Sequence, residues 1–227
     1  LDLAAAFSNA TRQIAINLDV NAPGGGLLSQ IVRIEGDPDL ALTVAGEGPI
    51  SDVTVTVALD ADGARVAGGD VTLLETDEGL SFDVDLSGGF APLVPTPYRG
   101  FFAGDTAVRA SGVSKTEGGV RVDTLAVTGA ELALDGRLET GAGNGLQSLR
   151  LTGALGDPAG PPVVLPVPGG ETSLNAANLY VNFGESSRWD GLVVLDRLRA
   201  GQMAFEDITL DIGEMARDLD NPDARLV

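Results

Sequence analysis

Apolar and polar residues alternate with a period of two along much of this chain. The clearest run is Val53, Val55, Val57 and Leu59, each separated from the next by a polar or small residue. Strict alternation predicts strands with one dry side and one wet side, an arrangement that antiparallel sheets tolerate. The same pattern recurs in three other segments, whose apolar members are Ile14, Ile16, Leu18, Val20, Leu80, Phe82, Val84, Leu86, Leu132, Leu134 and Leu138.

Short turn signals separate these runs. Sequences ending in glycine lie at 60–63 and 76–79, and glycine clusters lie at 118–119, 141–145 and 169–170. This spacing predicts an all-β fold, an antiparallel, curled or elongated sheet of the β-taco or groove type with one apolar face. We expect a single elongated β domain over 1–227, with a sub-boundary near 89–104. Because the chain begins at Leu1 without a signal segment, we expect it to be a piece of a longer repeat protein.

Two segments depart from the alternation and predict one or two short helices. In 23–34, the apolar residues Leu27, Leu28, Ile31 and Val32 have the spacing of a short amphipathic helix.

The second departure, 90–104, is rich in proline and aromatic residues. Thr96 as the N-cap and Pro97 in the first helical position would start a brief helix. We consider two roles for it: a loop that covers an open end of the sheet, or a gate for a groove formed by Tyr98, Phe101 and Phe102.

A faint internal repeat accompanies the strands. In each copy the apolar parity changes after an acidic residue, which requires a bulge, a bend or a strand break. The first copy contains Val120, Val122, Asp123, Leu125, Val127, Glu131 and Leu132, and at a constant offset the second contains Met203, Phe205, Glu206, Ile208, Leu210, Glu214 and Met215.

The composition excludes most kinds of catalytic site. The chain has no His and no Cys, so it offers no imidazole base, thiolate nucleophile or disulfide. Carboxylate pairs such as Asp83 and Asp85 are expected by chance among 33 acidic residues. We therefore expect no enzyme and no cofactor, with a carboxylate enzyme on a β scaffold as a minor alternative. The net charge of −19 disfavours binding to nucleic acid.

Calcium gives the main alternative function, a calcium-dependent extracellular or surface adhesion β module. Asp60, Asp62 and Gly63 resemble part of a calcium loop, although the later ligands of such a loop are missing. A second oxygen-rich group near the C-terminus consists of Asp218, Asp220, Asn221 and Asp223. A turn and a solvated tail explain the two groups as well, so we expect no metal site.

The apolar face itself suggests another kind of site. A sheet with one long apolar face needs a partner, which is either a second sheet or a ligand with long apolar chains. Exposing phospholipid tails to water costs about 0.8 kcal/mol per methylene, so a lipid carrier must keep the tails covered. The residues expected to line such a groove are Ile14, Ile16, Leu18, Val53, Val55, Val57, Leu59, Leu80, Phe82, Val84, Leu86, Leu132, Leu134 and Leu138.

Three stretches carry a resemblance to a known family. They are 46–52, 97–102 and 119–138, each adjoining or containing an alternating strand. Together they resemble TamB and its AsmA-like relatives in Gram-negative bacteria, over roughly 14–212.

The resemblance implies a periplasmic segment of a protein anchored in the inner membrane. It also implies a hydrophobic groove for phospholipid transport to the outer membrane, and a role in outer-membrane protein assembly within the translocation and assembly module. The implied partners are phospholipid acyl chains and, through regions outside this chain, an outer-membrane barrel protein. The chain lacks the anchor and the partner-binding region, so only the groove-lining role transfers to its residues.

Overall fold

The computed structural model of the chain describes residues 2–8, 13–24, 38–49, 51–165, 167, 172–184 and 188–213. Within them the predicted all-β antiparallel fold is confirmed. The strands are β1 (Asp2–Ser8), β2 (Gln13–Ala22), β3 (Leu40–Pro49), β4 (Asp52–Ala61), β5 (Ala64–Thr76), β6 (Gly79–Gly88), β7 (Thr106–Lys115), β8 (Val120–Thr128), β9 (Leu132–Thr140), β10 (Leu146–Gly156), β11 (Val163–Leu165), β12 (Thr172–Leu174), β13 (Ala176–Phe183), β14 (Trp189–Asp196), β15 (Leu198–Ala200), β16 (Met203–Phe205) and β17 (Ile208–Asp211).

Most strands form one long meander. The 13-stranded sheet has the order β1-β2-β3-β4-β5-β6-β7-β8-β9-β10-β13-β14-β17, so each strand pairs with its successor in the sheet. The sheet is open, with β1 and β17 as its two edge strands. A 4-stranded sheet of order β11-β12-β15-β16 is built from the connections that follow β10 and β14.

The long sheet has two different rims, formed by the alternating ends of its strands. The open rim carries the short connections 77–78, 116–119 and 141–145. The capped rim carries the connections 62–63, 89–105, 129–131, 157–175 and 197–207, which include the small sheet and two 3₁₀ helices. Among the described residues, the long connections therefore lie at the capped rim.

The connection at 89–105 contains the predicted short helix. It forms two 3₁₀ helices, Ala91–Leu93 and Thr96–Phe102. The predicted cap was wrong by one residue, because Pro95 precedes the second helix and no side chain caps it. Because β6 and β7 pair directly on either side, the sheet continues across this segment. The other predicted helix, at 23–34, falls largely outside the described residues.

Most of the fully buried residues lie near the capped rim. Leu40, Ala61 and Val66 form a buried cluster there, against which Leu93 of the first 3₁₀ helix packs. The adjoining turn between β4 and β5 consists of Asp62 and Gly63, which have φ angles of 50° and 77°. Positive φ at both positions matches a two-residue hairpin turn, for which Asp-Gly is a preferred pair.

The parity change predicted in β8 is a β-bulge. The register shifts between Val122 and Leu125 against β9, and both residues remain half-buried. Asp123 and Thr124 between them are exposed. The chain therefore keeps its apolar residues on one face by placing two consecutive polar residues on the other.

The second copy of the proposed repeat folds differently. Met203 and Phe205 belong to β16 of the small sheet, whereas Ile208 and Leu210 belong to β17 of the long sheet. Asp207, with φ of 53°, makes the turn between them. The two copies share a parity change but not a β unit, and the residues matching Glu131 and Leu132 lie outside the described residues.

Candidate functional site

The register of the long sheet places its apolar residues on a single face. Val84 of β6 lies opposite Val71 of β5 and Ala110 of β7. Residues directly opposite each other in an antiparallel pair project from the same face, so these contacts define a continuous row. Following the register from β2 to β17 gives the same result at each strand, and we call this surface the inward face.

All the residues predicted to line a groove lie on the inward face. Val53 and Val55 are buried, at 6% exposed each, and most of the others are half-buried. Leu80 is the exception, because it lies near the open rim opposite Glu75 and is 42% exposed. The residues at these inward positions are Ile14, Ile16, Leu18, Val53, Val55, Val57, Leu59, Leu80, Phe82, Val84, Leu86, Leu132, Leu134 and Leu138.

The inward face includes apolar residues outside the predicted groove-lining set. Their runs are interrupted by glycine or by the β8 bulge, which hides the alternation, although fragments such as Leu149-Arg150-Leu151 carry the signal. Between the rims, no charged residue occupies an inward position in the described parts of β2 to β10. The additional inward apolar residues are Leu42, Val44, Val71, Leu73, Val108, Ala110, Val122, Leu125, Val127, Leu149, Leu151, Leu155, Leu179, Val181, Val193 and Leu195.

Inward glycines allow neighbouring strands to approach closely. A Cβ atom on Gly69 would lie 1.9 Å from the carbonyl oxygen of Asp85, and one on Gly112 would lie 2.0 Å from that of Arg121. The neighbouring strand therefore approaches each glycine from the inward side more closely than a side chain would allow. Glycine kinks and bulges are the devices that curve β-sheets. Further inward glycines are Gly46, Gly48, Gly136, Gly153 and Gly191.

The residues predicted to form a gate lie at the capped rim. Tyr98 is 45% exposed, and its ring centroid is 6.4 Å from that of Phe101. Phe102 and Phe101 are half-buried in the second 3₁₀ helix, which contacts β11 of the small sheet. They belong to the connection between β6 and β7 and not to a strand of the sheet, and their role as a gate stays a prediction.

The residues considered for calcium have other partners. The Asp60 carboxylate accepts a hydrogen bond from Arg65 Nε at 2.6 Å. The Asp62 carboxylate accepts one from the backbone N–H of Asp39 at 3.0 Å. Within the described part of the chain, no three Asp or Glu side chains are grouped as metal ligands. The C-terminal set Asp218, Asp220, Asn221 and Asp223 lies outside the described residues.

The face opposite the inward one, here the outward face, carries the charges. Lys115 donates a hydrogen bond to Glu139, and this contact together with the charge of Lys115 holds the pKa of the Glu139 carboxyl below its usual range. Arg121 donates to Glu78 and Asp123, at 2.9 Å each, and these bonds raise the pKa of its guanidinium. These charged groups thus lie on the side of the sheet opposite the apolar inward face.

Comparison with known proteins adds no family to this description. None of the helices in the described residues is long and apolar enough to cross a membrane. No protein-family model, no curated protein and no solved structure matches the chain.

Proposed function

We propose that this chain is a segment of a lipid-transport protein whose inward face binds the acyl chains of phospholipids. In this proposal it belongs to a periplasmic protein of the TamB and AsmA-like type, anchored in the inner membrane and contributing to outer-membrane biogenesis. Anchoring, and contact with an outer-membrane barrel protein, would use regions outside this chain.

One observation carries the proposal: the inward face is continuous, apolar and incompletely covered. Residues such as Val84 and Leu134 lie mid-strand, yet they are half-buried rather than buried. In a sheet packed against a second layer, mid-strand apolar side chains would be dry. A bound acyl chain would remove the remaining exposed area from water.

The dimensions of the face suit acyl chains. Thirteen strands at a spacing of about 4.8 Å extend roughly 58 Å along the sheet. The acyl layer of one membrane leaflet is about 15 Å thick, half of the bilayer core. Several tails could therefore lie along the face, each gaining about 0.8 kcal/mol for every methylene removed from water.

Native mass spectrometry of the chain extracted from a Gram-negative host tests the proposal. We expect co-purified phospholipid on the wild-type protein and clearly less on Val84→Asn, which places an amide in the middle of the inward face. Ser87→Asn is the matched control, because Ser87 is exposed on the outward face of the same strand. Absence of phospholipid from the folded wild-type protein, or equal amounts on both variants, would contradict the proposal.

The effect of calcium on Tm distinguishes this proposal from a calcium-dependent adhesion module. Since Asp60 and Asp62 are engaged with Arg65 and Asp39, we expect the same Tm in calcium and in chelator. A calcium-dependent rise in Tm would favour the adhesion module instead.

A further inference from the structure

A second surface with binding geometry lies on the outward face, near the open rim. It is a cleft of about 360 Å³ across β8, β9, β10 and β13. Its lining includes an inward cross-strand row, Val122, Leu138, Leu149 and Phe183, together with the residues before and after each member of that row. Because the residues next to an inward position in a strand project outward, the cleft lies on the outward face. The polar side chains that line it are Arg121, Asp123, Arg137, Glu139, Ser148, Arg150 and Asn182.

Two arginines face each other in this cleft. Arg137 of β9 and Arg150 of β10 are direct cross-strand partners, so their Cβ atoms lie about 5 Å apart. Like charges placed directly opposite destabilise a sheet. The pairing occurs although acidic residues outnumber basic ones by 33 to 14 in the sequence.

The carboxylates of the cleft do not neutralise this pair. Glu139 is bound by Lys115, and Asp123 is bound by Arg121. Among the described residues, neither Arg137 nor Arg150 forms an ion pair with a carboxylate. Arg137 and Arg150 therefore each lack an ion-paired carboxylate among the described residues, although Asp123 and Glu139 also line the cleft.

Neighbouring groups orient one of the arginines and add neutral donors. The Arg150 guanidinium lies 5.9 Å from the centroid of the Tyr180 ring, which limits its conformational freedom. Asn182 is the direct partner of Arg150 on β13, and Ser148 lies two residues before it on the same face. A hydroxyl and an amide thus stand beside the guanidinium groups.

We propose that this cleft is a binding site for a phosphate group. Guanidinium groups recognise phosphate through parallel N–H···O bonds, and within the described residues the donors of Arg137 and Arg150 are not engaged in an ion pair with a carboxylate. Because the site lies on the outward face, phosphate binding there does not depend on lipid binding to the inward face. The phosphate could belong to a free phosphate compound or to the headgroup of an anionic phospholipid.

Titration of the full chain with inorganic phosphate tests the site. Isothermal calorimetry at constant ionic strength, with chloride as the competing anion, should show saturable binding that weakens at least ten-fold in Arg137→Gln/Arg150→Gln. Arg109→Gln is the matched control, because Arg109 is an outward arginine of β7 already paired with Asp85 at 3.1 Å. It should bind phosphate like the wild type.

A second experiment distinguishes the two sources of phosphate and allows for a double variant that does not fold. Flotation with phosphatidylglycerol vesicles, compared with phosphatidylcholine vesicles, tests binding of the headgroup. If the double variant does not fold, the single variants replace it, and each should show an intermediate loss of binding. Binding to vesicles only would assign the headgroup, provided that the arginine variants abolish it. Absence of both kinds of binding, or binding unaffected by the arginine variants, would overturn the proposal.

Discussion

Gly112 lies directly opposite Phe82 in the pairing of β7 with β6, and the Phe82 ring occupies the space where a Gly112 side chain would be. A Cβ atom on Gly112 would be 2.9 Å from Phe82 Cζ and 2.0 Å from the carbonyl oxygen of Arg121. The glycine therefore serves two purposes. It lets a large apolar side chain reach across to the neighbouring strand, and it lets the β8 backbone at Arg121 approach closely.

Gly112→Ala should destabilise the protein because the added methyl group collides with backbone that cannot rotate away. We expect a loss of about 1–3 kcal/mol in the free energy of unfolding, the usual cost of overpacking. Urea denaturation monitored by circular dichroism measures it. Gly143→Ala is the control, since a Cβ atom there meets nothing within 4 Å. Equal stability of the two variants would contradict the close packing around Gly112.

The capped rim should depend on Leu93 more than on the exposed aromatic residue nearby. Leu93 packs on the buried cluster of Leu40, Ala61 and Val66, so Leu93→Ala should cost about 2 kcal/mol. Tyr98→Ala should cost less than about 0.5 kcal/mol, because Tyr98 is 45% exposed. Urea denaturation of both variants tests this ranking, and a reversed order would contradict the observed packing of the cap.

The inward face was predictable because it follows from a period of two. Val53 and Val55 could be assigned to the dry side without any structure, and so could the parity change between Val122 and Leu125. These features are local, since each depends on a few consecutive residues. The prediction of a repeated β unit was wrong for the same reason. The local match between Leu125 and Ile208 could not reveal that Ile208 begins a new strand after a break.

Features that depend on pairing could not be predicted in this way. Arg137 and Arg150 each look like an ordinary solvent-facing residue on an alternating strand, and only the register of β9 with β10 brings them together. The close packing at Gly112 likewise depends on its neighbours in β6 and β8. The small sheet was missed because its strands are only three residues long, too short for a periodic signal.

The ion pair of Lys115 with Glu139 should make stability fall in acid. The folded protein lowers the pKa of Glu139 from its ordinary 4.5, so the pair stabilises the fold above that pH. The contribution is lost as the pH falls through the lowered pKa and Glu139 becomes protonated. The stability difference between wild type and Glu139→Gln should therefore be constant near neutral pH and shrink below pH 4.5.

Thermal or urea unfolding across this range measures the difference. Glu117→Gln serves as the control, because Glu117 is an exposed turn residue without an ion pair among the described residues. A difference for Glu139→Gln that grows as the pH falls would be opposite in sign to the expected linkage.

Site-specific photo-cross-linking along β6 tests the proposed role of the inward face most directly. A photoreactive amino acid is placed singly at 82, 83, 84, 85 and 86 in the full chain, which is then incubated with phospholipid vesicles. We expect phospholipid adducts at the inward positions Phe82, Val84 and Leu86 and none at the outward Asp83 and Asp85. Adducts at all five positions, or at none of the inward ones, would contradict binding of acyl chains on this face.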